Sequence, residues 1–353
     1  MNKIGILTFV DTINFGASLQ AYALQEVIES FGDKAEIIKY KNRGVEAQEH
    51  NSGKIGLKKL VKTLILGGGL KKKREAFRKY EESRMHLGLE LLPSTVKLLN
   101  EKYDYIVCGS DQVWNMKITA NDLTYFLGFV EEDRKKVTYA PSFGNVVFPE
   151  AYIENVKKEI VKIPHLSIRE CSGADFIKEK FNMTAEVVLD PTLLLTKEEW
   201  KAKISFTPNY RNYILVYFPH DKKKVFDFVE KLEKQTGYPV VYLSISPKKQ
   251  RGVKTIYDAS PDEFLGWIFH ADYIVTGSFH GTAFSINFEK QFFYESSGAG
   301  SRINNLIEMM GIEERSIDSE LMLSNEIDYS DIREKLHIER EKSKTWLKKA
   351  LEG

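Results

Sequence analysis

The chain has 353 residues, more than one small hydrophobic core usually supports, and this length is typical of two domains. It carries 51 Lys and Arg against 50 Asp and Glu, so the formal net charge is only +1. This balance argues against the global basic field of most nucleic-acid-binding proteins. The 42% hydrophobic content argues against a mostly disordered chain.

Short apolar runs bounded by turn residues predict strands along the chain. The predicted strands cover residues 4–9, 105–108, 137–139, 166–168, 187–189, 213–218, 240–244 and 273–275. Helical spacing of apolar residues occurs between them, at residues 19–28, 225–232 and 264–269. This alternation predicts an α/β fold of parallel sheets with helices on both faces.

The first informative turn, DTINFGAS at residues 11–18, lies between the first predicted strand and the following helix. At the carboxyl end of a parallel strand, free amide groups and a helix N-terminus can hold an anion or hydrogen-bond a sugar. Asn14 and Gly16 are therefore candidate acceptor-binding residues, and an ordinary loop with a helix cap is an equally weighted interpretation. The turn has no Gly-x-Gly-x-x-Gly fingerprint, which argues against a nicotinamide or flavin cofactor.

A second turn, GSDQVWN at residues 109–115, follows the predicted strand at residues 105–108. Glycine allows a sharp turn, and crowded polar side chains are costly unless they bind a ligand or cap the next element. Ser110 and Asp111 are candidates, since the Asp111 carboxylate can accept a proton from a hydroxyl group. Trp114 can stack on the apolar face of a sugar, although a place in the core is the favoured interpretation for this residue.

A third set of candidates follows two further predicted strands. Arg169 follows the run at residues 166–168, where its guanidinium can bind a phosphate or carboxylate. Glu170 can hold this guanidinium in position. Asp190 follows the run at residues 187–189, just before a proline, and is a candidate acceptor-binding or supporting residue. The competing interpretations are a structural ion pair for Arg169 and an ordinary turn for Asp190.

The fourth turn, TGSFHGTA, follows the predicted strand at residues 273–275. His280 lies in the first turn of the next helical pattern, where it is placed to exchange protons with an anionic substrate. Gly277 and Gly281 flank the histidine and favour close approach by a ligand. A capping or core histidine is the competing interpretation.

Together and in this order, the four turns resemble the polysaccharide pyruvyl transferase family over about residues 3–315. The resemblance is carried by IGILTFVDTINFGASLQAYAL, YDYIVCGSDQVWN, YAPSFGN, SIRE with the later VVLDPTLLL, and ADYIVTGSFHGTAFSINFEKQFFY. It implies two facing Rossmann-like domains with a central cleft, as in GT-B-type glycosyltransferases. It also implies transfer of a pyruvyl group from phosphoenolpyruvate to a sugar of a bacterial surface polysaccharide or its lipid-linked precursor, which forms a cyclic ketal.

The resemblance assigns roles to the candidate residues. His280 becomes the general acid or base and a phosphate contact, Arg169 an anion clamp, and Asp111 the group that orients or deprotonates the acceptor hydroxyl. Many family members carry arginine two residues before the histidine, where this chain has Ser278. Arg302 is the candidate replacement for the missing charge. Ketal formation demands neither a metal nor an organic cofactor, so none is expected.

The expected domains are an acceptor-side domain over residues 1–165, a donor-side domain over residues 166–325 and a charged helix over residues 326–353. The boundary is placed between two series of strands and helices, where Pro164 interrupts the intervening helical pattern. Asp111 and Arg169 are thereby expected in opposite domains.

A basic segment at residues 54–79 contains ten Lys and Arg against Glu75 alone, a balance of +9. Its lysines flank an apolar stripe, which is typical of a helix resting on an anionic membrane. A solvated helix that covers the protein's own core is the equally weighted alternative.

Cys108 and Cys171 belong to no Cys-x-x-Cys motif or Cys/His cluster, which favours a reducing compartment and no metal site. The first apolar run is too short for a signal sequence and no run is long enough to span a membrane. A cytoplasmic protein is expected, at most peripheral at the inner face of the membrane, with no nucleic-acid partner. Two other functions stay open: a GT-B-type glycosyltransferase that uses a nucleotide sugar, and a non-catalytic saccharide-binding relative.

Overall fold

The computed structural model describes residues 1–50, 57–144, 148–218, 223–245, 250, 252–296, 300–321, 323 and 326–353, with side chains except at residues 48–50, 57–68 and 301. The chain divides into two compact units. Unit 1 comprises Met1–Ile55, Phe77–Leu194 and Ile338–Gly353, and unit 2 comprises Gly56–Ala76 and Leu195–His337.

Unit 1 is built on a parallel sheet. Its strands are β1 (Lys3–Leu7), β2 (Lys34–Tyr40), β3 (Leu87–Leu91), β4 (Tyr105–Cys108) and β5 (Lys136–Thr138), in the order β3-β2-β1-β4-β5. A parallel ribbon of β6 (Ser167–Ile168) and β7 (Glu186–Val187) continues beside β5 through a bridge between Val137 and His165. The helices that begin in the first half of the chain are α1 (Phe15–Ser30), α2 (Arg43–His50), α3 (Leu57–Arg84), α4 (Leu99–Lys102), α5 (Glu150–Ile160) and α6 (Cys171–Phe181).

Unit 2 repeats this design with a second parallel sheet. Its strands are β8 (Ile214–Tyr217), β9 (Val240–Leu243), β10 (Lys254–Ile256), β11 (Tyr273–Thr276) and β12 (Gln291–Tyr294), in the order β10-β9-β8-β11-β12. The later helices are α7 (Lys197–Lys201), α8 (Lys223–Thr236), α9 (Pro261–His270), α10 (Phe279–Asn287), α11 (Ser301–Met310) and α12 (Ser330–Glu352).

The local sequence accounts for these elements. Every residue of β4 and of β8 is buried, as expected for central strands of a parallel sheet that is covered on both faces. Helix α8 buries one face at helical spacing, formed by Val225, Phe228, Val229 and Leu232. The predicted α/β class with two Rossmann-like sheets is confirmed.

The division into units differs from the predicted domain boundary. Residues 166–194 stay with unit 1, because the β6–β7 ribbon pairs beside β5. Helix α12 is not a separate segment, since Ile338–Gly353 also belongs to unit 1. The facing arrangement and the central cleft stay predictions. Within the part of the chain described here, no helix is both long enough and apolar enough to cross a membrane.

Candidate functional site

The strand orders of the two sheets create a switch point in each unit. In unit 1, β1 lies beside β4, and in unit 2, β8 lies beside β11. From the two strands of each pair, the chain continues toward opposite edges of the sheet. Parallel α/β sheets bind ligands at such points, beyond the carboxyl ends of the strands. The turns with Asn14 and Asp111 follow β1 and β4, and the turn with His280 follows β11. The predicted turns therefore lie where this type of sheet places ligands.

Close backbone packing fixes the turn after β4. Gly109 has a φ of +118°, and a Cβ atom there would lie 2.2 Å from the Tyr139 carbonyl oxygen. Only glycine fits, because both the backbone angle and the space exclude a side chain. Asp111 has a φ of +70° and bridges to Pro141, and its carbonyl accepts from Ser142 N at 2.9 Å. Asp111 is thereby held beside the turn after β5.

A buried ion cluster joins the turns after β4, β6 and β7. Arg169 Nη1 donates to Asp190 Oδ2 at 2.8 Å, and Arg169 Nη2 lies 3.8 Å from Asp111 Oδ1. Arg169 Nε lies 3.9 Å from Glu170 Oε2. These four side chains are all at most 6% exposed. Arg169 and Asp111 therefore belong to the same unit, in contrast to the prediction that placed them in opposite domains.

The electrostatics of this cluster bear on the predicted anion clamp. Burial alone would lower the pKa of Arg169, but the carboxylates of Asp190, Asp111 and Glu170 outweigh it and raise this pKa above its usual value. Three carboxylates surround one guanidinium, which leaves little positive charge for an anionic ligand. The contacts thus favour the structural ion-pair interpretation of Arg169.

Further hydrogen bonds tie the cluster to its surroundings. Ser110 Oγ lies 2.9 Å from the Ala140 carbonyl oxygen and 3.1 Å from Asp190 Oδ2. Glu170 Oε1 accepts from Ser142 Oγ at 2.9 Å. Glu170 therefore anchors the turn after β5, and Ser110 links the turn after β4 to the carboxylate that pairs with Arg169.

The turn after β1 is held by a cap and by a buried carboxyl group. Asn14 Oδ1 accepts from the amides of Gly16 and Ala17, at 2.9 and 3.3 Å, so the cap interpretation describes Asn14. Glu81 of α3 accepts from Ser18 Oγ at 2.7 Å and from Asp11 N at 3.3 Å. Burial raises the pKa of Glu81 to about 7. Sugar binding by Asn14 and Gly16 stays a prediction.

Trp114 is a core residue, as the favoured interpretation of its sequence predicts. The side chain is fully buried, its Nε1 donates to the Tyr125 carbonyl at 2.9 Å, and its ring stacks on Phe126 with centroids 5.1 Å apart. An indole that is fully buried and whose N–H is hydrogen-bonded within the protein offers no surface to a ligand.

In unit 2, the turn after β11 leads directly into α10. Ser278 is the N-cap residue, whose Oγ accepts from Gly281 N at 3.4 Å and whose N–H donates to Thr276 Oγ1 at 3.1 Å. His280 lies in the first turn of the helix, as predicted, and is 7% exposed. Its role in proton exchange stays a prediction.

The glycines that flank this turn are explained by packing within unit 2. A Cβ atom at Gly277 would lie 2.3 Å from the Phe218 ring, and one at Gly281 would lie 2.3 Å from Thr276 Oγ1. Both positions therefore require glycine without any ligand. The prediction that these glycines admit a close ligand is not needed to account for them.

Arg302, the candidate replacement for the family arginine, lies in the first turn of α11 and is 9% exposed. Helix α11 follows β12, which pairs with β11, and Glu295 N donates to the Thr276 carbonyl at 2.9 Å. The first turn of α11 therefore follows the carboxyl end of a strand next to the one that leads to Ser278. Contact with a donor substrate stays a prediction for Arg302.

The basic segment has a partly structural role. Residues 54–56 and the side chains of residues 57–68 lie outside the described residues. Lys73 is 1% exposed and its Nζ lies 5.0 Å from the centre of the Tyr257 ring, while Lys72 pairs with Asp258. These contacts within unit 2 favour the alternative in which the helix covers the protein's own core. Membrane contact by the remaining lysines stays a prediction.

Sequence reasoning missed residues that organise the site. Gln20 of α1 is fully buried, accepts from Ser110 N at 3.1 Å and donates to Thr8 Oγ1 at 2.8 Å. Thr8 Oγ1 in turn donates to the Ser110 carbonyl at 3.0 Å. Thr192 donates to Asp190 Oδ1 through both N, at 3.0 Å, and Oγ1, at 2.8 Å. Gln20 was detectable as a polar residue among the apolar positions of a helical pattern.

These sheets and switch points define an α/β protein of the GT-B type, and solved structures share that fold. A putative UDP-N-acetylglucosamine 2-epimerase from Listeria monocytogenes is 10% identical, with 98% of this chain and 90% of that chain covered and a TM-score of 0.52. An α-glucosyltransferase in complex with UDP is 9% identical, with 100% and 94% covered and a TM-score of 0.50.

The sequence identifies the family. The model of the polysaccharide pyruvyl transferase family matches residues 14–297, and the chain therefore belongs to this family. The predicted resemblance is confirmed. No curated protein sequence matches the chain.

Proposed function

We propose that this family member transfers the pyruvyl group of phosphoenolpyruvate to a sugar of a bacterial surface polysaccharide or of its lipid-linked precursor. The products are a cyclic pyruvate ketal and inorganic phosphate. The family match over residues 14–297 carries the proposal. The place of His280 in the first turn of α10, at a switch point, supports it.

The chemistry sets what the protein must provide. A proton adds to the methylene carbon of phosphoenolpyruvate, and the neighbouring carbon bonds to the oxygen of one sugar hydroxyl, which loses its proton. The bond between that carbon and the phosphate oxygen breaks, and a second hydroxyl closes the ring as it loses its proton. One released proton balances the one placed on carbon, and the other leaves with phosphate. These steps need an acid, a base and anion contacts, without a metal or organic cofactor.

The donor is assigned to unit 2. His280 is the general acid or base and a phosphate contact, and the amide groups at the N-terminus of α10 favour an anion. Ser278 carries no charge in the place where many family members have arginine, so Arg302 is assigned to the carboxylate or phosphate of the donor.

The acceptor is assigned to unit 1. Asp111 orients or deprotonates the sugar hydroxyl, since its carboxylate lies at the carboxyl end of β4 beside the switch point. Arg169 is assigned to orienting Asp111 rather than to binding the donor, because Asp190 and Glu170 also surround its guanidinium.

The experiment incubates the protein with phosphoenolpyruvate, or with a nucleotide sugar, and a panel of lipid-linked or nitrophenyl galactosides and mannosides. Phosphate release and product mass are measured. A product that has gained a three-carbon acid, formed only with phosphoenolpyruvate, supports the proposal. Addition of a whole sugar would indicate a glycosyltransferase, and tight sugar binding without any product would indicate a non-catalytic relative.

A further inference from the structure

The C-terminal part of α12 packs on the turn that carries Asp190. Ser343 Oγ accepts from Leu189 N at 3.0 Å, and Arg340 Nε donates to the Leu193 carbonyl at 2.7 Å. Ser343 is 1% exposed and Arg340 is 7% exposed. Two buried hydrogen bonds from α12 therefore hold this turn, one before Asp190 and one after it.

The turn is also held from the sheet. Tyr139 OH donates to the Leu189 carbonyl at 3.0 Å, so both backbone polar groups of the residue before Asp190 are engaged. Thr192 N and Thr192 Oγ1 both donate to Asp190 Oδ1, and the other carboxylate oxygen, Oδ2, accepts from Arg169 Nη1 at 2.8 Å. The N–H and the hydroxyl of Thr192 thus hold the Asp190 carboxylate to this turn, and Asp190 in turn ties the Arg169 guanidinium to it.

We propose that Ser343 and Arg340 are positioning residues for pyruvyl transfer. They fix the turn at Asp190, Asp190 directs Arg169, and Arg169 directs Asp111 toward the acceptor hydroxyl. The inference rests on the proposed function, since it takes Asp111 as the acceptor residue. The charged C-terminal helix lies about 150 residues from Asp190 in sequence. By this inference it helps to position the acceptor residue for the reaction.

The physical basis is that buried, close-packed groups transmit small displacements. Loss of the Ser343 hydroxyl leaves Leu189 N without its acceptor in a dry environment, and the backbone must shift to find another. Asp190 is the next residue, so its carboxylate moves with that shift. A misplacement of 1 Å in a reacting group costs about a hundredfold in rate, and a smaller shift transmitted through two side chains should cost about tenfold.

The test compares Ser343→Ala, Ser343→Thr and the matched control Thr345→Ala, an exposed hydroxyl on the same helix. Ser343→Ala should lower kcat about tenfold and leave the KM for phosphoenolpyruvate within about twofold, since the donor is assigned to unit 2. Ser343→Thr, which keeps a hydroxyl, should restore kcat, and Thr345→Ala should match the wild type. Arg340→Lys gives a second, charge-conserving variant should Ser343→Ala fold poorly.

Hydrogen exchange by mass spectrometry provides a readout that does not require activity. The peptide over residues 186–195 should exchange faster in Ser343→Ala than in Thr345→Ala. Unchanged exchange would overturn the inference, as would faster exchange with an unchanged kcat. If the wild-type protein shows no pyruvyl transfer, both the proposed function and the positioning role are contradicted. Faster exchange in Ser343→Ala would then still show that α12 holds the turn in place.

Discussion

The carboxyl edges of the two sheets share one topology and differ in chemistry. In unit 1, the turns enclose a guanidinium among three carboxylates, with the Arg169 side chain 2% exposed. Both edges have a helix N-terminus, capped by Asn14 in unit 1 and by Ser278 in unit 2, but in unit 2 the first turn of the helix carries His280. Strand order therefore fixes where a ligand site lies in the sheet, but it does not fix the charge of the side chains that line the site. A cluster of carboxylates suits a neutral hydroxyl group as ligand, and a histidine at a helix N-terminus suits an anion.

The largest effect is expected at the edge of unit 2. His280→Ala should lower kcat by about a hundredfold to ten-thousandfold, the usual contribution of a general acid or base. His270→Ala, at the end of α9, is the matched control and should keep wild-type turnover. Phosphate release from phosphoenolpyruvate measures both. Equal rates for the two variants would remove His280 from the mechanism.

The next effect is expected at the edge of unit 1 and concerns stability. Arg169→Met leaves the carboxylates of Asp190, Asp111 and Glu170 buried without their common cation, which should cost about 3–5 kcal/mol in the free energy of unfolding. Arg134→Met removes a largely exposed ion pair with Glu132, which solvent screens, and should leave the free energy of unfolding close to that of the wild type. Denaturant titration measures the free energy of unfolding of both variants. Equal losses in Arg169→Met and Arg134→Met would contradict the buried ion cluster.

A pH dependence should also distinguish unit 1. Glu81 has a pKa of about 7 in the folded protein against an ordinary value of 4.5, so the native state binds this proton more tightly. The resulting stability is fully present below pH 4.5 and is lost as pH rises through 7. At about 1.4 kcal/mol per pKa unit, the loss is on the order of 3 kcal/mol.

Glu81→Gln should remove this loss, so its advantage over the wild type should grow between pH 5 and pH 8 in denaturant titrations. Glu82→Gln, an exposed neighbour on α3, should keep the wild-type slope. Parallel pH profiles for the wild type and Glu81→Gln would contradict the assignment of the raised pKa to Glu81.

The smallest effect is expected at the cap of α10. Ser278→Ala should cost about 1 kcal/mol in the free energy of unfolding, because the amide of Gly281 loses its acceptor. Ser278→Asn keeps a capping side chain and should stay near the wild type. Thermal unfolding of both variants tests this, and an unperturbed Ser278→Ala would mean that the long Ser278 contact contributes nothing.

Much of the fold could be predicted from local sequence. Central strands such as β4 and β8 are buried on both faces and read as unbroken apolar runs. The edge strands β3 and β10 are largely exposed or half-buried and show no such run, and they were missed. The strands β2 and β12 were also missed, although most of their residues are buried. The division into units differs from the predicted domain boundary for a related reason, since the ribbon of β6 and β7 lies beside β5 of unit 1 through a bridge between Val137 and His165.

The turns that carry the candidate residues were predictable from the sequence, and their contacts were only partly so. Polar turns after apolar strands located Asp111 and Arg169 in unit 1 and His280 in unit 2. Local sequence could not reveal that Asp190 pairs with Arg169 across 21 positions. Nor could it separate a glycine needed for packing, such as Gly277, from one needed for a ligand.

The most direct test of pyruvyl transfer follows the oxygen that bridges carbon and phosphorus in phosphoenolpyruvate. With a heavy-oxygen label at that position, attack of the sugar at carbon breaks the bond between carbon and oxygen. Pyruvyl transfer predicts that the label leaves in inorganic phosphate while the sugar gains an unlabelled ketal. Label retained in free pyruvate, with phosphate transferred to the sugar, would contradict it and indicate phosphoryl transfer instead.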